Sequence, residues 1–510
     1  MTHARINSRA SAGIDAPSVT VEVHISNGLP GFAIVGLPES TVKEAKERVR
    51  SALLNSYLTW PDRRITVSLS PAELPKSGAR FDLPIALAIL AASGQLAADT
   101  MHDVECFGEL GLDGRVRPCK GLLSAVLAGS RAHKRLIVPA QQRSLLALLP
   151  EAKIIGVEDL LTTCSVIKDP KLVPAQSGAQ PKGSSASLRP VEHLNGPAID
   201  LEQIAGQLMA KRALGVAAAG GHHLLMTGPP GAGKTLLASC LPQLLPPLAD
   251  TEIIEIAIIR DLLGLPPAGE RPFRSPHHSA SPSGLIGGGV QALPGEISLA
   301  HKGVLFLDEI AEFPRRTLDL LRQPLENGVI QVTRARGAFT YPADFQLIAA
   351  MNPCPCGFAQ DPNQHCHCTT DTIRRYQSKL SGPVLDRIDL HVPLERQKSS
   401  LLLTGVNPSS PNTLTRDRIQ QLRDLQFRRQ GSLNAKLAGA DLMAACGISK
   451  STTRWLGDTA DQLMLSARAI HKVLRVARTL ADLRNSVPVE EADLLEALGY
   501  RLRQHPASRS

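Results

Sequence analysis

Apolar and polar positions follow two periodicities over the first 170 residues. Ser18–His24 and Arg64–Leu69 alternate at every second residue, which predicts half-buried strands. Glu39–Leu54 repeats its apolar residues at helical spacing, and Leu83–Ala92 is an apolar run with a proline in its first turn, so both predict helices. The mixture predicts an α+β or α/β domain over residues 1–170.

The pattern changes twice towards the C-terminus. Residues 171–195 are rich in glycine and serine and too polar to bury a core, which predicts a flexible linker. Residues 196–395 alternate helices with apolar strands, as in a parallel α/β sheet. Residues 396–510 are dominated by helical periodicity, and Leu463–Leu483 is the clearest helix. We therefore predict a multidomain α/β protein.

Three apolar strands stand out in the central segment, at 224–227, 303–307 and 345–350. The first is followed by a loop that fits G-x-x-x-x-G-K-T and then by a helical segment, which is the context this motif requires. Its glycines let backbone N–H groups wrap the phosphates of ATP at a helix N-terminus. Lys234 is expected to neutralise the β- and γ-phosphates, and Thr235 to bind Mg²⁺. The predicted nucleotide site comprises Gly228, Pro229, Pro230, Gly231, Ala232, Gly233, Lys234, Thr235 and Asp308.

Two acids end the second of these strands. Asp308 is predicted to hold the Mg²⁺ shell, and Glu309 to polarise the attacking water. Asn352 follows the third strand, from which it can orient that water. Arg387 is a candidate arginine finger, and Arg468 is a candidate to reach the γ-phosphate from the C-terminal helices. Taken alone, each of these last three residues fits a surface or salt-bridge role equally well.

Two Cys-x-Cys pairs, separated by nine intervening residues, lie in an insert at 354–368, just after Asn352. Four thiolates complete a tetrahedral zinc site and leave no open position for catalysis, so zinc here would be structural. His365 and His367 are spare ligand candidates, and four free thiols are the alternative. The predicted zinc ligands are Cys354, Cys356, Cys366 and Cys368.

Composition narrows the class of protein. The chain has 510 residues, of which 43% are hydrophobic and 20% charged, as in an ordinary folded protein. It contains no apolar run of the roughly 18 residues that span a membrane and no signal-like N-terminus, so we expect a cytoplasmic protein without a membrane partner. The net charge of +9 is modest for this length and fits a solubilising surface, although it also favours a nucleic-acid partner, while 3% aromatic residues argue against a large base-stacking platform. The nine cysteines are expected to be thiols or metal ligands.

These motifs resemble those of the AAA+ ATPases, in particular the magnesium-chelatase-like branch, and most closely the ComM/YifB family of bacterial proteins. The resemblance covers nearly the whole chain. It implies a Lon-protease-like α+β domain at 1–170, an AAA+ P-loop α/β core at 196–395 and a C-terminal helical lid domain at 396–510. Beyond the ATP motifs it is carried by Ser26–Pro30, Ile34–Pro38, Phe81–Pro84, Arg274–His278, Pro294–His301, Met351–Gly357 and Val476–Leu483.

The family resemblance also implies a mechanism. It implies a hexameric ring with ATP sites between subunits, in which Arg387 acts in trans and Asn352 and Arg468 are the two sensors. ComM-like proteins are DNA helicases that drive branch migration, extending the joint between incoming single-stranded DNA and the chromosome in natural transformation. The expected partners are single-stranded, duplex or branched DNA and further copies of the chain.

A β-hairpin is the expected DNA contact. Ile330–Tyr341 is predicted to turn at Arg336-Gly337, and in related ring helicases a hairpin here projects into the pore. Arg334 and Arg336 would then meet DNA phosphates, with a solvated hairpin tip as the alternative. Pro276–His278 and Gly287–Gly289 are candidates for a second pore loop.

The first domain resembles the Lon fold without its chemistry. Arg80 stands where Lon has its nucleophilic serine, and Leu123 stands where Lon has its lysine. Neither residue can perform the corresponding step, although a shifted dyad of Ser77 and Lys76 stays open. We interpret the domain as an inert scaffold for ring assembly or DNA binding.

Two other functions share parts of this pattern. One is a magnesium-chelatase-type AAA+ motor subunit that remodels a protein partner. The other is an ATP-dependent protease, which the missing Lon-type serine and lysine disfavour. DNA-stimulated ATP turnover would separate the DNA motor from both.

Overall fold

The computed structural model describes residues 3–169, 201–289, 292–334, 337–359, 361, 364–397 and 414–501. The predicted linker at 171–195 lies outside the described residues. Within the described ranges, no helix combines the length and the apolar character needed to cross a membrane.

The described N-terminal part contains two sheets. Its strands are His3–Arg9 (β1), Ser18–Ser26 (β2), Gly31–Val35 (β3), Arg64–Ser70 (β4), Val104–Cys106 (β5), Glu109–Leu110 (β6), Val116–Arg117 (β7), Arg135–Pro139 (β8) and Ile154–Val157 (β9). Seven of them form a mixed sheet in the order β3-β4-β2-β1-β5-β8-β9, while β6 and β7 pair separately. The alternation that predicted β2 is confirmed, because Val19, Val21, Val23 and Ile25 are its buried residues.

Six helices accompany these strands in the described N-terminal part. They are Ser40–Lys43 (α1), Ala45–Asn55 (α2), Asp82–Ala92 (α3), Leu122–Arg131 (α4), Arg143–Leu146 (α5) and Leu160–Lys168 (α6). Every residue of α3 is buried, and the helix lies against β1 and β2. The prediction of one continuous helix over Glu39–Leu54 is wrong. The helix divides at Glu44, whose carbonyl oxygen accepts a hydrogen bond from Glu47 N at 3.2 Å, the i→i+3 pattern of a tight turn.

A five-stranded parallel sheet forms the centre of the chain. The strands of this part are Leu224–Thr227 (β10), Phe273–Arg274 (β11), Gly287–Gly288 (β12), Leu293–Pro294 (β13), Val304–Leu307 (β14), Val329–Arg334 (β15), Gly337–Pro342 (β16), Gln346–Met351 (β17) and Leu390–Pro393 (β18). The sheet order is β11-β14-β17-β10-β18, and all four pairings are parallel. The predicted parallel sheet is confirmed, and the carboxyl ends of its strands meet at one edge.

Helices pack around this sheet and extend beyond it. The central ones are Leu208–Gly220 (α7), Lys234–Leu244 (α8), Asp250–Leu262 (α9), Pro282–Ile286 (α10), Glu296–Leu299 (α11), Arg315–Asp319 (α12), Arg322–Asn327 (α13), Thr370–Gln377 (α14) and Gly382–Leu385 (α15). The C-terminal ones are Arg416–Gln430 (α16), Gly439–Cys446 (α17), Lys450–Gln462 (α18), Ala467–Leu483 (α19) and Glu491–Gly499 (α20). The helix predicted from Leu463 begins later, because Ser466 caps it by accepting a hydrogen bond from Ala469 N.

Separate hydrophobic cores hold these parts together. Leu224 and Phe306 of the parallel sheet share one core with Val473 of α19, so the C-terminal helices pack on the sheet. The N-terminal sheet and α3 have a core of their own. A smaller cluster joins Leu122 of α4 to Ala257 of α9, and it connects the N-terminal part to the central part.

Candidate active site

A glycine-rich loop leads from β10 into α8. Gly231 and Gly233 adopt left-handed backbone conformations, with φ of 76° and 87°, which residues with a side chain rarely adopt. A Cβ added at either glycine would meet nothing within 4 Å, so open space borders the loop. The helix begins at Lys234 with Gly233 as its N-cap and no side-chain cap. Its first N–H groups therefore stay available to an anion.

Lys234 is held across the mouth of this loop. Its Nζ donates to the carbonyl oxygens of Gly228 at 2.6 Å and Pro229 at 3.0 Å, and to Asn352 Oδ1 at 2.9 Å. Burial lowers the pKa of Lys234, while the charge of Asp308 opposes that shift. The bond to Asn352 joins the loop to the carboxyl end of β17, the strand beside β10.

Thr235 and Asp308 form the second half of the arrangement. Thr235 Oγ1 donates to Asp308 Oδ2 at 2.8 Å, and Asp308 Oδ1 accepts from Glu309 N at 2.9 Å. A hydroxyl oxygen and a carboxylate oxygen in contact are hard ligands of the kind that Mg²⁺ prefers. These two side chains therefore fit the Mg²⁺ that accompanies a nucleotide.

Glu309 is held in a left-handed conformation, with φ of 48°, at the end of β14. Its carboxylate is half exposed, and Oε2 lies 3.9 Å from His278 Nδ1. His278 is a neighbour that the sequence reasoning did not assign to this site. The strand order explains why His278 lies beside Glu309. Strand β11 ends shortly before His278 and runs parallel to β14, so both strands end at the same edge of the sheet.

The four-cysteine insert begins beside Asn352 and touches the glycine-rich loop. Pro353 O accepts a hydrogen bond from Gln377 Nε2 at 3.0 Å. A Cβ added at Gly357 would lie 2.5 Å from Pro230 Cδ, so the insert packs directly on the loop. The four sulfur atoms all lie within 4.8 Å of one another, and they belong to Cys354, Cys356, Cys366 and Cys368.

Arg387 and Arg468 line a different space, a cavity of about 1100 Å³ that none of the residues 228–235 line. Arg387 donates to the Glu326 carboxylate and to Pro383 O. Asp389 N, two residues further on, donates to the carbonyl oxygen that immediately precedes β10. The cavity therefore lies at the amino edge of the sheet, opposite the glycine-rich loop.

This placement bears on one expectation. Arg468, the second residue of α19, lies at the amino edge of the sheet and away from the phosphate loop of its own chain, and its reach to a γ-phosphate stays a prediction. The structure brings together Lys234, Thr235, Asp308, Glu309 and Asn352, and it brings together Arg387 and Arg468 at a separate place.

Comparison with known proteins identifies the family. Three models, described as magnesium chelatase subunit ChlI, subunit ChlI of Mg-chelatase, and the ChlI C-terminal region, match residues 200–402, 21–142 and 410–501. The chain is 45% identical over 507 residues to the competence protein ComM of Haemophilus influenzae, covering 98% of each chain. It is 44% identical over 508 residues to the uncharacterized protein YifB of Salmonella typhimurium, covering 98% of this chain and 97% of that one.

The chain belongs to the ComM/YifB family of magnesium-chelatase-like proteins. The ComM/YifB assignment made from the motifs is thereby confirmed. A weaker match exists to the Lon protease of Trichlorobacter lovleyi, at 24% identity over 204 residues, 37% of this chain and 25% of that protein.

The Lon-like positions of this ComM/YifB chain are filled by structural contacts. The buried Arg80 guanidinium donates to the carbonyl oxygens of Lys120 and Arg9. The Leu123 side chain is buried, and its backbone N donates to Asp261 Oδ2 at 2.7 Å. Neither contact leaves a group that can attack a peptide bond.

The shifted Ser77 and Lys76 dyad gains no support. Lys76 is fully buried and its Nζ donates to Pro71 O, so its proton faces a carbonyl oxygen and not a serine hydroxyl. Burial lowers the pKa of Lys76, against the opposing charge of Glu73. A lowered lysine pKa is one requirement of a dyad, but the hydrogen bond that would activate Ser77 is directed elsewhere.

The predicted DNA hairpin is present as β15 and β16. Their register pairs Ile330 with Tyr341 and Arg334 with Gly337, so the predicted hairpin is confirmed, while Gly337 belongs to β16 and not to the turn. Arg334 ends β15, and Arg336 lies outside the described residues. The contact of either arginine with DNA stays a prediction, as does the second pore loop.

Proposed function

We propose that the chain is an ATP-driven hexameric DNA motor that promotes branch migration of recombination intermediates in natural transformation. Two hydrogen bonds carry the proposal: Lys234 of the glycine-rich loop bonds to Asn352, and Thr235 bonds to Asp308. Membership of a family of AAA+ magnesium-chelatase-like proteins supports ATP hydrolysis as its chemistry. The relative named competence protein ComM supports the link to competence.

The residues divide the work of hydrolysis. The N-terminus of α8 and Lys234 would hold the phosphates, and Thr235 and Asp308 would hold Mg²⁺, which neutralises phosphate charge during transfer. Glu309 would accept the proton of the attacking water. Asn352 would orient that water, and its bond to Lys234 in this structure keeps its amide at the reacting end of the loop.

The distance of Arg387 and Arg468 from the phosphate loop supports assembly of several copies of the chain. Arg387 and Arg468 lie at the amino edge of the sheet, whereas the phosphate loop lies at its carboxyl edge. One chain therefore cannot place these arginines on its own phosphates without rearranging. A second copy can supply them if the amino edge of one chain faces the carboxyl edge of the next. Such a head-to-tail contact generates a closed ring when the rotation between neighbouring copies closes.

Each segment of the chain would have its own role in the proposed ring. Residues 1–170 would act as an inert Lon-like scaffold, residues 196–395 as the AAA+ core and residues 396–510 as a helical lid. The linker at 171–195 would join the first two. The β15–β16 hairpin would present Arg334 and Arg336 to DNA phosphates from between β14 and β17, the strands that carry the nucleotide residues.

ATP turnover with and without DNA tests the proposal. The purified full chain should hydrolyse ATP faster with single-stranded, duplex or branched DNA, and it should extend strand exchange on a branched substrate. Lys234→Ala serves as the matched control for contaminating ATPases. An active ATPase that no DNA accelerates and that moves no branch would overturn the DNA motor. It would favour a chelatase-type motor, which the matches to magnesium chelatase subunit ChlI keep as the second candidate.

A further inference from the structure

We propose that Cys354, Cys356, Cys366 and Cys368 hold one zinc ion, and that this zinc site keeps Asn352 and the glycine-rich loop in position for ATP turnover. The first half concerns metal binding alone. The second half rests on the ATPase function proposed above.

The sulfur positions match a single tetrahedral ion. Cys354 Sγ lies 3.3 Å from Cys356 Sγ and 3.8 Å from Cys366 Sγ, and the last two sulfurs are 3.6 Å apart. A Zn–S bond of about 2.3 Å places tetrahedral ligands roughly 3.8 Å apart, close to these values. A disulfide needs about 2.05 Å, so none of these three pairs is bonded. Cysteines two and ten positions apart in the sequence thus bring their sulfur atoms to one place.

The chemistry of the set favours a structural ion. Four thiolates saturate a tetrahedral zinc and leave no position for water, so the ion takes no part in the reaction. Thiols are weak hydrogen-bond donors, and four of them in mutual contact stabilise a loop poorly by themselves. The insert joins β17 to α14, and in its described residues it forms neither helix nor strand. A metal supplies the missing constraint, because its binding free energy becomes folding free energy.

Three features place this insert beside the nucleotide residues. Cys354 is two residues after Asn352, whose Oδ1 accepts from Lys234. Pro353, between them, is held by Gln377 of α14. Gly357 packs on Pro230 so closely that a Cβ would lie 2.5 Å from its ring. The proposed ion therefore fixes both the residue that orients water and the loop that holds phosphates.

Metal content tests the first half. The full chain should purify with one zinc per chain by plasma mass spectrometry, and Co²⁺ should replace it with the visible absorption of a tetrahedral thiolate site. Cys366→Ser/Cys368→Ser should lose the metal. His365→Ala/His367→Ala should keep it, because the two histidines are not part of the sulfur cluster and their rings lie edge to face, with centroids 5.0 Å apart. A parent chain that takes up neither zinc nor cobalt overturns the site.

Turnover tests the second half. Cys366→Ser/Cys368→Ser should lower kcat by about tenfold or more, in line with the loss of groups that orient a site. Nucleotide affinity should change by much less, because Lys234 and the N-terminus of α8 remain. The histidine variant should turn over ATP like the parent. A zinc-free variant with parental kcat overturns the coupling and leaves the ATPase function standing.

A second substitution guards against simple misfolding. Gly357→Ala keeps all four thiols but forces a Cβ against Pro230, so it should retain zinc and still turn over ATP more slowly. Gly431→Ala is its matched control, because Gly431 also has a left-handed φ, of 72°, and a Cβ there meets nothing within 4 Å. Equal kcat for the two glycine variants overturns the coupling. Absence of ATPase activity in the parent contradicts the proposed function, while zinc content still decides the metal site.

Discussion

Two helices of this molecule begin in nearly the same way and are used differently. Both α8 and α4 follow a left-handed glycine, Gly233 with φ of 87° and Gly121 with φ of 67°, and neither has a side-chain cap from that residue. Open space borders the glycine loop before α8. At α4, Asp261 Oδ2 of α9 accepts a hydrogen bond from Leu123 N at 2.7 Å, and the Asp261 backbone carbonyl accepts from Gly121 N at 3.2 Å.

The difference shows what makes a helix N-terminus a ligand site. Its unpaired N–H groups attract an anion in either case. At α4 the anion is a carboxylate of the same chain, so the terminus becomes part of an internal contact. At α8 the Asp308 carboxylate is bonded to the Thr235 hydroxyl, and among the described residues no carboxylate accepts from the backbone N–H groups of the first turn. That terminus is left for a phosphate.

The largest expected effect comes from removing charge at α8. Lys234→Ala should abolish tight nucleotide binding, because it deletes the ammonium group that neutralises the phosphates. Glu309→Gln should bind nucleotide like the parent and lower turnover by about 10²- to 10⁴-fold, the usual contribution of a general base. Nucleotide titration and phosphate release measure the two effects. Normal hydrolysis by Glu309→Gln would exclude it as the base.

Arg387→Ala should have the next largest effect. Rings should assemble normally and hydrolyse about 10³-fold more slowly, as expected for an arginine finger. Mixing this variant with Lys234→Ala subunits should restore part of the activity, because some interfaces then join an intact loop to an intact finger. Turnover is followed against mixing ratio. If no ratio restores activity, Arg387 does not act across a subunit interface.

Asp261→Ala, at the N-terminus of α4, should lower the free energy of unfolding by about 1–2 kcal/mol, the usual cost of losing a helix cap. Asp159→Ala is the matched control, because Asp159 caps α6, a helix of the same N-terminal part, by accepting from Thr162 N at 2.7 Å. Calorimetry should show the N-terminal part melting in a separate transition only for Asp261→Ala. Identical melting profiles for the two variants would mean that Asp261 does not connect the two parts.

The smallest expected effect concerns which of the two parts contacts DNA if the chain acts as the proposed DNA motor. Arg334→Ala/Arg336→Ala should keep basal ATPase activity and lose DNA stimulation, and DNA binding should depend less steeply on salt. The competing surface in the N-terminal part comprises Lys43, Lys46 and Arg50, and Glu47 dilutes its charge at 3.7 Å from Lys46.

Removing those three cations provides the comparison. Lys43→Ala/Lys46→Ala/Arg50→Ala should leave the salt slope and the branch migration near parental values. The opposite ranking, with the hairpin variant behaving like the parent, would assign the DNA contact to the N-terminal part.

The N-termini of α8 and α4 also differ in how far the sequence alone predicts them. The residues at α8 could be predicted because a local motif and the ends of parallel strands fix their positions. The contact of Asp261 with Leu123 spans 138 residues and follows no local pattern. Likewise, the position of Arg468 depends on how α19 packs on the sheet, which periodicity does not specify. His278 lies between these cases, since only the strand order brings it to Glu309.

The carboxylate at α4 has a consequence for any attempt to separate the two parts. Asp261 of the central part accepts from Leu123 N of the N-terminal part, and Leu122 and Ala257 share a hydrophobic cluster across the same contact. Cutting the chain between the parts would therefore expose an apolar surface and an uncapped helix terminus together. Either part expressed alone is expected to be less soluble than the full chain.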